Sequence, residues 1–305
     1  MKILTSPSSF GKISNKPFEM LKENGFEFIN NPFARKLTKK ETILLAKDCD
    51  GIIAGVETYD KDVLEKLKIL KCISRVGVGI DSIDLDYTNN NSIHVVNTPY
   101  GPTQSVAEFT LALTFALLKN IPNANLDMKN RIWKKQNGNL IFNKKIGIIG
   151  LGKIGKLTAK MFKSLGLEIY AYDLFPDIKW MKKYEINSVK LDYLLKISDI
   201  ISIHIPGNLG KALISRRELS LMKNNSILIN VSRGGVVNEN DLFNFLKKKK
   251  IKGAAIDVFK DEPYKGNLSK LDNVILTPHI GSYSIEGKLQ MEIDATQNLI
   301  NVLKN

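Results

Sequence analysis

Short apolar runs alternate with stretches of helical period along nearly the whole chain, which predicts alternating strands and helices in a parallel α/β architecture. Strands are predicted at Lys2–Thr5, Phe26–Ile29, Gly51–Ala54, Lys71–Arg75 and His94–Asn97. Amphipathic stretches near Lys16–Asn24, Lys39–Lys47 and Asp60–Leu67 separate the first four. Pro99, in Asn97-Thr98-Pro99, then favours an extended or turn link over a helix. Helical patterns follow from Ser105 to Lys119 and around Asn123 to Asn130. A second alternating series begins at Lys145, with strands expected near 145–149, 167–172, 200–204, 226–230, 253–256 and 273–276. A last helix is expected from about Ile285 to Lys304. There is no internal repeat and no low-complexity linker, so hinges are placed near 97–104 and 279–284.

Composition narrows the class. With 305 residues, 43% hydrophobic and 25% charged, the chain can bury a core and is long enough for about two domains. The longest strongly apolar run, Leu111 to Leu118, falls far short of the ~20 residues of a membrane span. The opening MKILTSPSSF lacks the apolar region of a signal peptide. Cys49 and Cys72 cannot form a disulfide framework, and no Cys/His spacing resembles a metal site. A cytoplasmic, metal-free protein is expected. The net charge of +14 comes from lysines scattered along helices, with only six arginines. Nucleic-acid readers cluster arginine and interleave aromatics, so no nucleic-acid partner is expected. The run Lys247–Lys250 closes a predicted helix, where cations suit the negative end of its dipole.

Gly150, Gly152 and Gly155 form a GxGxxG loop between the strand at 145–149 and a helical pattern. Such glycines permit a tight turn, close approach of pyrophosphate and close helix–strand packing. The helix N-terminus offers free N–H groups to phosphates. The next predicted strand ends at Asp173, 18 residues beyond Gly155, where a carboxylate can bond the adenosine ribose hydroxyls. No Arg or Lys follows within three positions, so a 2′-phosphate would meet a negative charge and NAD is expected over NADP.

Only three histidines occur. His94 precedes a Val-Val strand and reads as structural. His204 ends a strand before Pro206, at an edge where it could line the cofactor crevice. His279 sits in Thr277-Pro278-His279-Ile280-Gly281, just after another strand. Arg233 ends the apolar run at 226–230, and Asp257, Asp261 and Glu262 follow the strand at 253–256. In a doubly wound sheet those strand ends converge. Arginine, carboxylate and histidine around a nicotinamide suit hydride transfer on a 2-hydroxy or 2-keto acid.

The chain resembles the D-isomer-specific 2-hydroxyacid dehydrogenases over essentially its whole length. The motifs are Arg75-Val76-Gly77-Val78-Gly79-Ile80-Asp81 with Asp84, Val96-Asn97-Thr98-Pro99, Ser105-Val106-Ala107-Glu108, the glycine loop, His204-Ile205-Pro206, Ser232-Arg233-Gly234, Asp257, Glu262-Pro263 and Pro278-His279. The resemblance implies two doubly wound parallel-sheet domains. A Rossmann NAD domain (99–281) is inserted into a flavodoxin-like substrate domain (1–98 and 282–305). It implies Arg233 on the substrate carboxylate and C2 oxygen, His279 as proton carrier, and Glu262 on the other ring nitrogen of that histidine. It also implies Asp257 on the nicotinamide carboxamide. Gly150, Gly152, Lys153, Ile154, Gly155, Asp173, His204 and Pro206 would line the cofactor. Arg75, Val76, Gly77, Val78, Gly79 and Lys135 would line the substrate. A homodimer through the NAD domain is implied, with the helices after Pro99 contributing.

Within that family the chain is most similar to the phosphoglycerate dehydrogenases, with 3-phosphoglycerate oxidation in serine biosynthesis as the implied role. Arg75 and Lys135 would stand near the phosphate. One departure is Gly55-Val56-Glu57, where such enzymes often carry an Arg-Ser pair, since an inward Glu57 would repel a phosphate. Reduction of hydroxypyruvate or glyoxylate is the alternative. The chain stops after its terminal helix, so control through an appended regulatory domain is not expected. A non-enzymatic, NAD-sensing corepressor is the remote alternative. Such a protein would have no need of Arg233, Glu262 and His279 together.

Overall fold

The computed structural model, which describes residues 1–207 and 210–304, consists of two compact units. One comprises Met1–Pro102 with Ser282–Asn305, the other Thr103–Gly281. The first opens with β1 (Lys2–Thr5), α1 (Lys16–Glu23), β2 (Glu27–Asn30), α2 (Lys39–Ala46) and β3 (Gly51–Ala54). It continues with α3 (Lys61–Leu64), β4 (Cys72–Arg75), α4 (Leu85–Asn90) and β5 (His94–Asn97). The unit boundary falls within α5 (Gly101–Lys119).

The second unit then runs through α6 (Ile121–Lys129), β6 (Lys145–Ile149), α7 (Lys153–Ser164), β7 (Glu168–Tyr172), α8 (Ile178–Lys183), β8 (Asn187–Ser188) and α9 (Leu191–Ile197). Next come β9 (Ile200–Ile203), α10 (Arg216–Leu221), β10 (Ile227–Asn230), α11 (Glu239–Lys247), β11 (Gly253–Ile256) and β12 (Val274–Leu276). Helix α12 (Ile285–Lys304) returns to the first unit, where it packs on β3, β4, β5 and α1.

Among the described residues both sheets are wholly parallel, five strands in the order β2-β1-β3-β4-β5 and seven in the order β12-β11-β10-β9-β6-β7-β8. The α/β class with two doubly wound sheets is therefore what the chain adopts. The cause is visible in the side chains. Ile3 joins one apolar cluster and Leu4 another, and the same split separates Ile53 from Ile52 and Cys72 from Ile73. In the second unit Ile227 and Ile229 face one cluster and Leu228 the other. Successive strand residues point to opposite faces, so a strand covered on both sides must be apolar throughout. The two buried thiols fall on opposite faces of the first sheet. Burial pushes Cys49 up to about 11 and Cys72 up to about 12.

Helix α4 and strand β8 lie where no element was expected. α4 is a polar turn and a half, started by Asp84, whose carboxylate accepts the Tyr87 N–H at 2.9 Å. β8 has two residues, too few to show a period. α5 begins at Gly101 rather than Ser105, with Pro102 in the first turn, where its missing N–H costs nothing.

Candidate active site

Strand order reverses around β6, which has β7 on one side and β9 on the other. The carboxyl ends of β6 and β9 flank that switch point, the usual place for a ligand in such sheets. Gly150 leaves β6 at φ +94°, and a Cβ there would lie 2.5 Å from the His204 carbonyl oxygen. At Gly155 a Cβ would lie 2.0 Å from the Gly150 oxygen. Both glycines answer to packing within the chain. Gly152 does not, because a Cβ there would meet no protein atom within 4 Å. It is the N-cap of the twelve-residue α7 and supplies no side-chain cap, so the start of the helix lies beside that free space. A glycine kept small at the start of a helix fits a pyrophosphate, and the residues present fit a dinucleotide.

The Asp173 carboxylate accepts the Leu151 N–H at 2.6 Å through Oδ2 and the Phe175 N–H at 2.8 Å through Oδ1. It is thereby fixed beside the glycine loop. His204 is half-buried, with Nε2 2.8 Å from the Ser202 hydroxyl. Burial pushes its pKa down to about 3, which keeps the ring neutral. Pro206, two residues on, is exposed.

At the end of β10, the Asn230 carboxamide oxygen accepts from the Ser232 N–H (3.1 Å) and hydroxyl (2.7 Å), and its amide donates to the Arg233 carbonyl (3.2 Å). The half-buried Arg233 donates from Nη1 to the Ser232 carbonyl at 2.8 Å. After β11, Glu262 accepts the Phe259 N–H at 3.0 Å through Oε1. Its Oε2 lies 3.0 Å from His279 Nδ1. The histidine is 49% exposed. With Nδ1 engaged, Nε2 is the ring nitrogen left for a proton exchange.

The turn that carries His279 is bonded to Asp257, the residue that the resemblance places on the nicotinamide carboxamide. Asp257 is 1% exposed. Its Oδ1 accepts from the Thr277 hydroxyl (2.6 Å) and the Ile280 N–H (2.9 Å), and its Oδ2 accepts from the Gly281 N–H (2.9 Å). The Asp257 carbonyl also accepts the His279 N–H at 2.9 Å. These bonds hold a turn in which His279 takes φ +55°, a left-handed conformation costly for a residue with a side chain. Asp257 thus ties down the turn that carries the histidine. Its sequence signal is weak, because its partners lie 20 to 24 residues away.

In the first unit Arg75 ends β4 and donates to the Val76 carbonyl. The following loop is tied to the end of β5: Gly77 N–H to the Thr98 hydroxyl at 2.7 Å, and Asn97 amide to the Val78 carbonyl at 2.8 Å. Gly77 sits at φ +138°. Val76 and Gly79 complete that loop. Lys135 is exposed in an irregular stretch, with no polar partner among the described residues.

The "D-isomer specific 2-hydroxyacid dehydrogenase, NAD binding domain" family matches residues 111–281. The chain belongs to the D-isomer-specific 2-hydroxyacid dehydrogenases. The matched NAD binding domain lies in the second unit, Thr103–Gly281. The D-3-phosphoglycerate dehydrogenase of Methanocaldococcus jannaschii is 37% identical over 277 residues, covering 89% of this chain and 53% of that protein. The chain spans about half the length of the phosphoglycerate dehydrogenases that it matches. The glyoxylate reductase of Thermococcus litoralis is 36% identical over 303 residues, covering 92% of this chain and 91% of that protein. A structure of D-lactate dehydrogenase from Aquifex aeolicus, complexed with NAD and lactic acid, superposes with a TM-score of 0.86 at 27% identity, over 100% of this chain and 96% of that one. Among the described residues no cluster of side chains could hold a metal, and no helix is long and apolar enough to cross a membrane.

Proposed function

We propose that this dehydrogenase interconverts a D-2-hydroxy acid and its 2-keto acid with NAD(H). The observation that carries the reading is the Glu262–His279 bond, which leaves Nε2 as a proton carrier on the sheet that ends in the glycine loop. Bound NAD supplies the hydride acceptor for C2 and, when reduced, the donor. Arg233 grips the substrate carboxylate and polarises the C2 oxygen with its forked donors. His279 Nε2 takes the C2 hydroxyl proton as the carbonyl forms and returns it in the reverse direction. Glu262 fixes the ring orientation and favours the imidazolium that follows proton uptake. Gly150, Gly152, Lys153, Ile154 and Gly155 hold the pyrophosphate, Asp173 the adenosine ribose, and His204 and Pro206 flank the cofactor. The 75–79 loop presents backbone N–H groups to the substrate. A panel of 2-keto acids with NADH tests the reading, and absence of turnover on every member would sink it.

Two substrate classes are supported. 3-Phosphoglycerate, and with it a place in serine biosynthesis, draws support from Arg75 at the end of β4 and from the M. jannaschii relative. An unphosphorylated acid such as glyoxylate or hydroxypyruvate draws support from the T. litoralis relative and from the position of Glu57.

Asp173 makes the cofactor choice testable. Its carboxylate repels a 2′-phosphate, so kcat/KM with NADH should exceed that with NADPH by well over tenfold, and parity would remove Asp173 from the adenosine site. A homodimer through the second unit is supported by Ile121, Leu126, Met128, Trp133, Leu140 and Phe142, each more than half exposed on or just after α6. Light scattering should return twice the 34.2 kDa chain mass. A monomer at micromolar concentration would contradict it.

A further inference from the structure

The first unit has a switch point of its own, between β1 and β3 in the order β2-β1-β3-β4-β5. The two strands run in register, Thr5 opposite Ile53, so Ser6 and Gly55 leave the sheet side by side. In a parallel sheet that spot is the natural landing place for an anion, offering backbone N–H groups and hydroxyls. Here the chain fills it with its own carboxylate. Glu57 follows the exposed Val56 in a short connection, yet is only 1% exposed. Its Oε2 accepts from the Ser6 hydroxyl at 2.6 Å and from the Gly55 N–H at 2.9 Å. Behind them the fully buried Tyr59 hydroxyl lies 3.0 Å from Ser6 Oγ. A Cβ at Gly55 would come within 2.7 Å of the same carboxylate oxygen, so the carboxylate as it stands is seated against a glycine.

Burying a carboxylate is costly unless donors meet it, and three residues are arranged to meet or admit this one. One strand over, Arg75 at the end of β4 stands opposite Ala54. Burial pushes the Tyr59 pKa up, the Glu57 charge adds to the rise, and the Ser6 bond and the Arg75 charge pull it down.

We propose that Glu57 is a specificity-determining residue: as an internal anion it occupies the donors at this switch point and offsets Arg75, so that the dehydrogenase favours unphosphorylated acids over 3-phospho acids. This inference rests on the dehydrogenase reading above and selects the second of its two substrate classes. Like charges repel, so each phosphate charge facing the carboxylate is disfavoured in binding, on the order of tenfold.

The test compares hydroxypyruvate with 3-phosphohydroxypyruvate under saturating NADH, for the wild-type protein, Glu57→Gln and Glu57→Asp. The wild type should prefer hydroxypyruvate by at least about tenfold in kcat/KM. Glu57→Gln should improve phosphohydroxypyruvate by about tenfold, through KM, while leaving hydroxypyruvate within about threefold. Glu57→Asp should keep the wild-type preference. Equal use of both substrates by the wild type overturns the proposal, as does a Glu57→Gln variant that loses both activities alike. Should Glu57→Gln fail to fold, Arg75→Ala decides, because a loss confined to the phosphorylated substrate would show that Arg75 is not offset. Failure of the wild type to oxidise NADH with either acid counts against the dehydrogenase reading, not against the role of Glu57.

Discussion

Replacing His279 by alanine is expected to lower kcat by ~10²-fold or more, the usual scale for losing a general acid–base group. NADH binding should survive, because the glycine loop and Asp173 lie on other strands of the same sheet. The corresponding change at His204 should cost far less. That ring is bonded to Ser202 and kept neutral by burial, so it has no proton to exchange in the working range. Stopped-flow reduction of a keto acid separates the chemical step from binding. If the His204 variant lost more than the His279 variant, the proton carrier would have been assigned to the wrong ring.

The second large effect is expected at Gly152, where valine should weaken NADH binding by about 10- to 150-fold, the equivalent of losing one charge-assisted bond of ~1.5–3 kcal/mol. Its Cβ would meet no protein atom, and its φ of −67° is open to any residue. The apo protein should therefore lose no more than about 1 kcal/mol, the scale of a poorer N-cap. Gly155→Val gives the contrast, since its Cβ would strike the Gly150 carbonyl and the fold itself should suffer. Urea unfolding alongside fluorescence titration with NADH reads both quantities. Comparable destabilisation of the two variants would make Gly152 a packing residue and remove the argument for a pyrophosphate at that point.

The strands were legible because a doubly covered sheet forces apolar runs of a fixed length, and Ile227-Leu228-Ile229 advertises both faces at once. The glycine loop was legible for a different reason, since turn, approach and packing demands fall at a fixed spacing along one short segment. α4 escaped because its six residues, LDYTNN, bury only Thr88 and leave no apolar stripe; Asp84 was its one clear signal. Asp257 could be found in sequence, but its hold on the 277–281 turn could not, because that bonding crosses from β11 to the exit of β12. Glu57 presented the same difficulty in sharper form. The sequence showed a charged residue in a turn, and only the register of β1 with β3 reveals that Ser6 and Gly55 stand ready to draw it inward.

Strand β12 is three residues long and sits at the margin of its sheet, where local opening is easiest. Its exit nevertheless carries His279. The Asp257 latch ties that exit to β11, and Glu262, five residues further along the chain, reaches the same ring. The two halves of the proton-transfer pair therefore share one anchor, and fraying of the outermost strand is insulated from the imidazole. Amide exchange should register this as slow exchange at Ile280 and Gly281, whose N–H groups end on a buried carboxylate, next to faster exchange along the rim strand that precedes them.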